Sequence, residues 1–155
     1  MFFDFSQFQP FFQLLLAALL GGTVGLEREY RRREAGFRTF ALVCLGSCFF
    51  TLIGINFTEM SVYPLVQLDL TRIIQAVAVG VGFIGAGSII YRKFQVEGLT
   101  TAAALWVVSA IGIGIGMGLY RLSIFATFLV IGILAVFRLI EEKFFPKSSK
   151  SGYEG

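Results

Sequence analysis

The sequence predicts an all-α membrane protein with about five transmembrane helices, and two observations carry this prediction. The 155 residues are 56% hydrophobic and only 15% charged, and the mean hydropathy is +0.79. A soluble domain of this size could not cover so apolar a chain with polar surface. The apolar residues also fall into five runs of about 20 residues, the length that a helix needs to cross a hydrocarbon core of about 30 Å.

The five predicted spans form a single transmembrane domain over residues 1–140. Only residues 118–121 separate the fourth span from the fifth. The alternative is therefore a four-span chain in which these two spans form one long kinked helix. Residues 141–155 form a basic tail, which we expect to be cytoplasmic and partly disordered. The spans cover residues 8–26, 39–57, 73–90, 99–117 and 122–140.

The distribution of Lys and Arg predicts an extracytoplasmic N-terminus and a cytoplasmic C-terminus. Of the 13 basic residues, five lie in residues 27–38, two in the turn 91–98 and four in residues 138–150, all on one side of a five-span chain. Only Arg72 and Arg121 fall on the other side. Because cytoplasmic connections carry the excess of basic residues, the larger group marks the cytoplasmic face.

The first and second helical hairpins show an internal similarity at an offset of 62 residues. Such an offset predicts a parallel repeat of hairpins 1–2 and 3–4 about an axis along the membrane normal. The starts of the second and fourth helices would then lie close together on the cytoplasmic side. The matches are Gly25 with Gly87, Gly36 with Gly98, Thr39 with Thr101, Ala41 with Ala103, Ser47 with Ser109, and Ile53-Gly54 with Ile115-Gly116.

Composition and motifs argue against several functional classes. The chain has no His, which excludes imidazole metal sites and His general bases. The stretch Gly80–Gly85 matches GxGxxG, but no strand precedes it, so we reject a dinucleotide site. The basic residues lie between apolar runs, which favours anionic lipid over nucleic acid as their partner. We therefore expect no enzyme activity and no bound cofactor, with Mg²⁺ conceivable only as a ligand.

A polar cluster is predicted at the cytoplasmic ends of the first, second and fourth spans. Carboxylates from two or three segments could hold a hydrated Mg²⁺, which needs only one or two of them. The competing interpretation is a structural ion pair between Glu27 and Arg38. The helix starts could also attract an anion, either a ligand or Glu27 or Glu29. The candidate residues are Glu27, Arg28, Glu29, Arg38, Thr39, Glu97, Thr100 and Thr101.

A second polar group is predicted at the opposite, outer end of the third span. Asp69, Arg72 and Gln75 recur every three residues and therefore share one helix face. Charges near the bilayer are costly unless they are paired or hydrated, which makes them candidates for a functional site, such as one for a cation. The alternative is that Asp69 caps the helix and pairs with Arg72.

Small residues predict close helix packing. Glycine lets helix backbones approach each other in a membrane, where apolar surfaces alone give no driving force. Cys44 and Cys48 are expected to act as small packing residues of the second span. These glycine faces are also compatible with a homodimer. The candidate packing positions are Gly21, Gly25, Gly82, Gly85, Gly112 and Gly116.

These motifs together resemble the MgtC/SapB family of bacterial inner-membrane proteins, in order over most of Leu14 to Tyr120. The resemblance implies a multi-pass domain of five helices in the bacterial inner membrane. The matching stretches are Gly21–Glu29, Ala35–Thr39, Gly46-Ser47, Asp69 with Arg72 and Gln75, Gly82–Ser88, and Gly98–Trp106.

The resemblance also implies a link to magnesium limitation, acid tolerance and survival in hosts. In well-known members it implies inhibition of the ATP synthase and regulation of transport proteins, so we expect a regulatory or ligand-sensing module. The alternative is a small transporter or channel for Mg²⁺ or another ion. The family's name-giving member continues into a soluble C-terminal domain, whereas this chain ends in a short basic tail. We therefore expect only the functions of the membrane module.

Overall fold

A computed structural model describes residues 8–60, 70–92, 95–137, 139 and 143–144. Within them, five helices are long and apolar enough to cross a membrane, which confirms the predicted fold class. A short β-hairpin joins the third helix to the fourth. The elements are α1 (Gln9–Tyr30), α2 (Phe37–Met60), α3 (Leu70–Gly87), β1 (Ile90–Arg92), β2 (Gln95–Glu97), α4 (Leu99–Gly116) and α5 (Tyr120–Gly132), with a π-helical turn at Ile133–Phe137.

Helix α4 lies at the centre of the bundle and contacts each of the other four helices. Its span is 56% buried inside the protein, against 17% for α3, which therefore presents most of its surface outward. The sequence of α4 explains its position, because its Ala and Gly residues let neighbouring backbones come close. The fully buried residues Phe40, Cys44 and Val108 belong to the core between α2 and α4.

Glycines form the closest contacts between α2 and its neighbours. A methyl carbon added at Gly21 of α1 would lie 2.6 Å from the Phe40 carbonyl oxygen, and one at Gly25 would lie 2.7 Å from the Cα atom of Phe37. On the other side of α2, a methyl carbon at Gly116 of α4 would lie 2.8 Å from the Cβ atom of Thr51. Real Cβ atoms do not approach other atoms so closely, so only glycine permits this helix spacing.

The two candidate packing glycines of α3 behave differently from each other. An added methyl carbon at Gly85 would meet the Cβ atom of Ala102 in α4 at an ordinary 3.4 Å. At Gly82 it would meet nothing within 4 Å. Gly82 makes no close contact with the described residues, and its predicted role in helix packing stays a prediction.

A break after Gly116 separates α4 from α5. Gly118 has a left-handed backbone with φ of 76°. Its N–H donates to the Ile115 carbonyl at 2.9 Å, and the Leu119 N–H donates to the Gly114 carbonyl at 2.8 Å. This pair of bonds is the Schellman motif, which ends a helix. The four-span alternative with one long kinked helix is therefore wrong.

The connection between α3 and α4 is a β-hairpin where a simple turn was expected. Strands β1 and β2 pair antiparallel, with Ile90 opposite Glu97 and Tyr91 opposite Val96. Gly98 then enters α4 with φ of 88°, and a side chain at this position would overlap the Ser88 carbonyl. Glycine is required here for both reasons.

The two connections of the predicted repeat differ in structure. Residues 31–36 between α1 and α2 form turns, whereas the corresponding segment between α3 and α4 contains the hairpin. At the opposite end, the Gln9 side chain donates to the Tyr120 hydroxyl at 3.3 Å, so the starts of α1 and α5 lie on one membrane face. The repeat and the N-out, C-in orientation stay predictions. Apart from residues 143 and 144, the tail lies outside the described residues.

Candidate functional site

A buried ion pair closes the end of α1 at the face predicted to be cytoplasmic. The Arg28 side chain is only 3% exposed, and its Nε donates to Glu27 Oε2. The other carboxylate oxygen, Glu27 Oε1, is buried without a hydrogen-bond partner and lies 3.7 Å from Arg31 Nε. The Arg31 guanidinium also lies 5.5 Å from the centre of the Tyr30 ring. Glu27 Oε1 is therefore held by the charge of Arg31 without a hydrogen bond from the described residues.

Glu29 connects α1 to the start of α2. Its Oε2 accepts a hydrogen bond of 2.8 Å from the backbone N–H of Phe37, the first residue of α2. A carboxylate at a helix start satisfies a free amide and interacts favourably with the helix dipole. The anion at the start of α2 is thus an internal one. A methyl carbon added at Gly36 would lie 2.8 Å from Glu29 Oε2, so a side chain there would push on the capping carboxylate.

A strained turn ends α1 directly after Glu29 and Tyr30. Arg32 has a left-handed backbone with φ of 53°, which is unfavourable for a residue with a Cβ atom. The Arg32 N–H donates to the Glu29 carbonyl and the Arg33 N–H to the Arg28 carbonyl, at 2.9 and 3.0 Å. These bonds form the second Schellman motif of the fold, here with Arg in place of the usual glycine.

Glu34 connects the same segment to α4. The hydroxyl of Thr101 donates to Glu34 Oε2 at 3.2 Å, and the Thr101 side chain is buried in the first turn of α4. Sequence reasoning did not single out Glu34. Its position among charged residues of the connection was the only signal, and its partner lies 67 residues further along the chain.

The structure assembles only part of the predicted cytoplasmic cluster. Glu27, Arg28, Glu29 and Thr101 make the contacts above, and Thr39 is partly buried at the start of α2. The side chains of Arg38, Glu97 and Thr100 are exposed. The predicted Glu27–Arg38 ion pair is wrong, because Arg28 and Arg31 on the same helix end already surround the Glu27 carboxylate.

The acidic residues of this site are spread rather than gathered. Among the described residues, no group of three or more Asp, Glu or Cys side chains is close enough to hold a metal ion directly. A hydrated Mg²⁺ is less demanding, since it keeps most of its waters and needs one or two carboxylates. Oε1 of Glu27 is buried beside Arg31, so a hydrated ion could reach it only if Arg31 moved aside.

The outer polar group is only partly visible. Asp69 lies outside the described residues, while Arg72 and Gln75 are exposed on the first turns of α3. Arg72 also lines the end of a groove between α2 and α3. Whether Asp69 caps α3 or pairs with Arg72 stays a prediction.

Several buried polar side chains between the two faces donate hydrogen bonds to backbone carbonyls. Gln13 of α1 is 3% exposed, and its Nε2 donates to the Ile115 carbonyl of α4 at 2.8 Å. Ser47 and Thr51 of α2 donate to carbonyls one helical turn earlier, each at 2.8 Å. Such bonds are the usual role of polar groups inside membrane helices. These hydrogen bonds indicate a role in helix packing rather than in ligand binding.

Comparison with known proteins identifies relatives of this bundle. The family model described as the MgtC family matches residues 14–143. "Putative magnesium transporter YhiD" of Escherichia coli K12 is 43% identical over 126 residues, which are 81% of this chain and 59% of that protein. Protein SrpB of Synechococcus elongatus is 41% identical, over 84% of this chain and 75% of that protein. Protein MgtC of Brucella abortus is 40% identical, over 79% of this chain and 48% of that protein.

The matches extend over most of this chain but not over all of each relative. The chain spans about 59% of YhiD and 48% of the Brucella protein. No solved structure matches it significantly. The family model nevertheless covers α1 from residue 14 onward and all of the other four helices, including the charged site at the end of α1. With its five apolar helices, this multi-pass membrane protein therefore belongs to the MgtC family.

Proposed function

We propose that the protein is a regulatory, ligand-sensing module of the bacterial inner membrane that responds to Mg²⁺ and acts on partner membrane proteins. Relatives named for magnesium and the family resemblance support the link to magnesium. The module carries out no chemical reaction in this proposal. Its output is a change in how the helices meet other proteins of the membrane.

The observation that carries this proposal is the arrangement of three glutamates at the α1–α2 connection. Glu27 forms ion pairs with Arg28 and Arg31 at the end of α1. Glu29 accepts a hydrogen bond from the first amide of α2, and Glu34 accepts one from the Thr101 hydroxyl of α4. One charged segment therefore contacts the ends of the three helices that form the centre of the bundle. A change of charge here acts on all three helices.

A divalent cation would change that charge balance. Mg²⁺ binds carboxylates through its waters, and the second oxygen of Glu27 lies 3.7 Å from Arg31 Nε and accepts no hydrogen bond from the described residues. A cation at this oxygen would compete with Arg31 for the carboxylate. Release of Arg31 would alter the α1–α2 connection, and the starts of α2 and α4 would shift with it. That shift is the signal in this proposal.

The experiment uses Trp106, the chain's single tryptophan, as the reporter. Trp106 is exposed on α4, about 7.5 Å along the helix axis from Thr101. The purified protein in lipid nanodiscs is titrated with MgCl₂ while Trp106 fluorescence is recorded, with KCl at equal ionic strength as the reference. We expect a saturable change for the wild type that Glu27→Gln and Glu34→Gln reduce.

Glu97→Gln is the matched control, because Glu97 is exposed on the same face and belongs to the hairpin rather than to the connection. It should respond as the wild type does. If MgCl₂ produces no more change than KCl, or if all three variants respond equally, the sensing proposal is wrong.

The partners proposed for the module are other inner-membrane proteins, with the ATP synthase and transporters as first candidates by family resemblance. Photo-crosslinking in intact membranes tests this step. A reactive side chain is placed at Phe83, which is 83% exposed on α3, and compared with one at Phe40, which is fully buried. Partner bands that appear equally at both positions would contradict docking on the helix surface.

Magnesium transport is the second candidate, favoured by the name of the relative YhiD, a putative magnesium transporter. The test is Mg²⁺ entry into liposomes loaded with a magnesium-sensitive dye under an imposed potential, with Glu27→Gln and Asp69→Asn beside the wild type. Entry that is lost in the variants would support a transporter with these two ends. Entry no greater than into empty liposomes would exclude it and leave the sensing module.

A further inference from the structure

An apolar groove runs between α2 and α3 on the lipid-facing surface of the bundle. It has a volume of about 900 Å³, which is at the upper end of ordinary ligand pockets. Its α2 wall extends from Leu42 to Phe57, about 22 Å along the helix, and its α3 wall from Arg72 to Ile84. The groove is therefore long and narrow, and most of its length crosses the hydrocarbon core.

Small residues open the groove. Gly46 of α2 and Gly80 of α3 both line it, and an added methyl carbon at either would meet nothing within 4 Å. The other walls are aliphatic and aromatic, with Phe50 and Phe57 both exposed. Helix α3 packs against α4, and among the described residues only 17% of its span is buried. The space suits a flexible apolar chain.

One cationic side chain marks an end of the groove. Arg72 lies in the first turn of α3, at the membrane face that also carries the starts of α1 and α5, and its side chain is exposed. In the described part of the chain, no carboxylate forms an ion pair with it. Guanidinium groups bind phosphate through paired, charge-assisted hydrogen bonds. The groove thus has an apolar body and one cationic end.

We propose that this groove binds one anionic phospholipid, with an acyl chain along α2 and α3 and the phosphate on Arg72. Bulk acyl chains are as apolar as the groove, so burial alone gives little selectivity in a membrane. Selectivity between lipids comes from headgroup charge. In an anionic lipid the phosphate is free to pair with Arg72, whereas in a zwitterionic lipid the headgroup's own ammonium neutralises the phosphate. This inference does not depend on the proposed magnesium response, which concerns the opposite membrane face.

The experiment measures which lipids stay bound to the intact protein. The chain is purified from membranes containing equal amounts of phosphatidylglycerol and phosphatidylethanolamine, and native mass spectrometry identifies the retained lipid. The wild type should retain phosphatidylglycerol in preference. Arg72→Gln should lower this preference about tenfold, the effect of losing hydrogen bonds to a charged group.

Filling the groove tests the acyl-chain half of the proposal. Gly46→Leu and Gly80→Leu place side chains into open space, so they should fold normally and reduce retention of both lipids. Gly82→Leu is the matched control, because Gly82 is equally open and is outside the groove lining. It should retain lipid as the wild type does. Circular dichroism on each variant establishes that the helices are intact.

Three outcomes would overturn the proposal. The first is equal retention of both lipids by the wild type, and the second is unchanged retention when Gly46 and Gly80 carry Leu. The third is a crosslinked dimer of the wild type that Gly80→Leu abolishes while no lipid is retained. That result would assign the groove to a second copy of the chain.

Discussion

Gly112 of α4 lies directly against the backbone carbonyl of Cys44 in α2. A methyl carbon added at Gly112 would overlap the carbonyl oxygen, and it would lie 3.0 Å from both the carbonyl carbon of Cys44 and the Cβ atom of Ser47. The backbone of α2 cannot move aside without disturbing its contacts with Gly21 and Gly25 on its other flank. This contact leaves no room for a larger side chain between α2 and α4, because the two backbones lie directly against each other here.

Gly112→Ala should therefore destabilise the fold by about 1–3 kcal/mol, the usual cost of overfilling a packed interior. Thermal unfolding in a mild detergent, followed by circular dichroism, measures the change. Gly82→Ala is the control, because its methyl group enters open space and Ala favours the helix. Equal loss of stability in both variants would show that packing at Gly112 is not the cause.

Gln13→Leu should weaken the contact between α1 and α4. Gln13 Nε2 donates to the Ile115 carbonyl at 2.8 Å and approaches the Gly116 carbonyl at 3.3 Å, in a buried setting. Side-chain hydrogen bonds inside membrane proteins contribute about 0.6–2 kcal/mol, so we expect a loss in that range. Unfolding by SDS titration measures it. Gln9→Leu, which removes an exposed 3.3 Å bond to Tyr120, should cost less, and the reverse order would contradict the assignment.

Arg32→Gly should stabilise the protein. The left-handed backbone of Arg32 strains a residue with a Cβ atom by about 1 kcal/mol, and glycine adopts it without that penalty. Part of the gain is offset because glycine has more freedom in the unfolded chain. Arg33→Gly, next to it and without positive φ, is the control and should destabilise or leave stability unchanged. If only Arg33→Gly raised the unfolding temperature, the claim that the Arg32 backbone is strained would be wrong.

Removing the Glu29 carboxylate should loosen the start of α2. Glu29→Ala deletes the acceptor for the Phe37 N–H and should cost about 1 kcal/mol, whereas Glu29→Gln keeps an acceptor and loses only the charge. Hydrogen exchange of the amides at Phe37 to Phe40 reports the local effect. The rate should rise in the order wild type, Gln, Ala. Unchanged exchange in the Ala variant would exclude the cap.

Hydropathy predicted the five helices but not where they end. The predicted first span stops at Leu26, whereas α1 continues through Glu27, Arg28 and Glu29 to Tyr30. Hydropathy detects the part of a helix that lies in lipid, and a helix can continue into the interface with charged residues. The positions that contact each other across helices, such as Gln13 with Ile115, depend on tertiary packing that one sequence does not contain.

The hairpin and Glu34 show where the sequence offered too little signal. The two residues between β1 and β2 are Lys and Phe rather than the Asn-Gly or Asp-Gly pairs that predict tight turns. Glu34 is one of several charged residues in its segment, and nothing local distinguishes it from its neighbours. The site residues that were predicted, Glu27, Arg28 and Glu29, stood out because charges directly ended an apolar run.

The burial of the two cysteines makes the native chain suitable for thiol mapping of its orientation. Cys44 and Cys48 are both free and 0% exposed, so a water-soluble maleimide should not reach them in the folded protein. A cysteine introduced at Tyr30 or at Arg121, exposed positions at opposite ends of the bundle, would then be the reactive thiol. Labelling from one side of intact cells can thus decide which face meets the cytoplasm, without first removing either native cysteine.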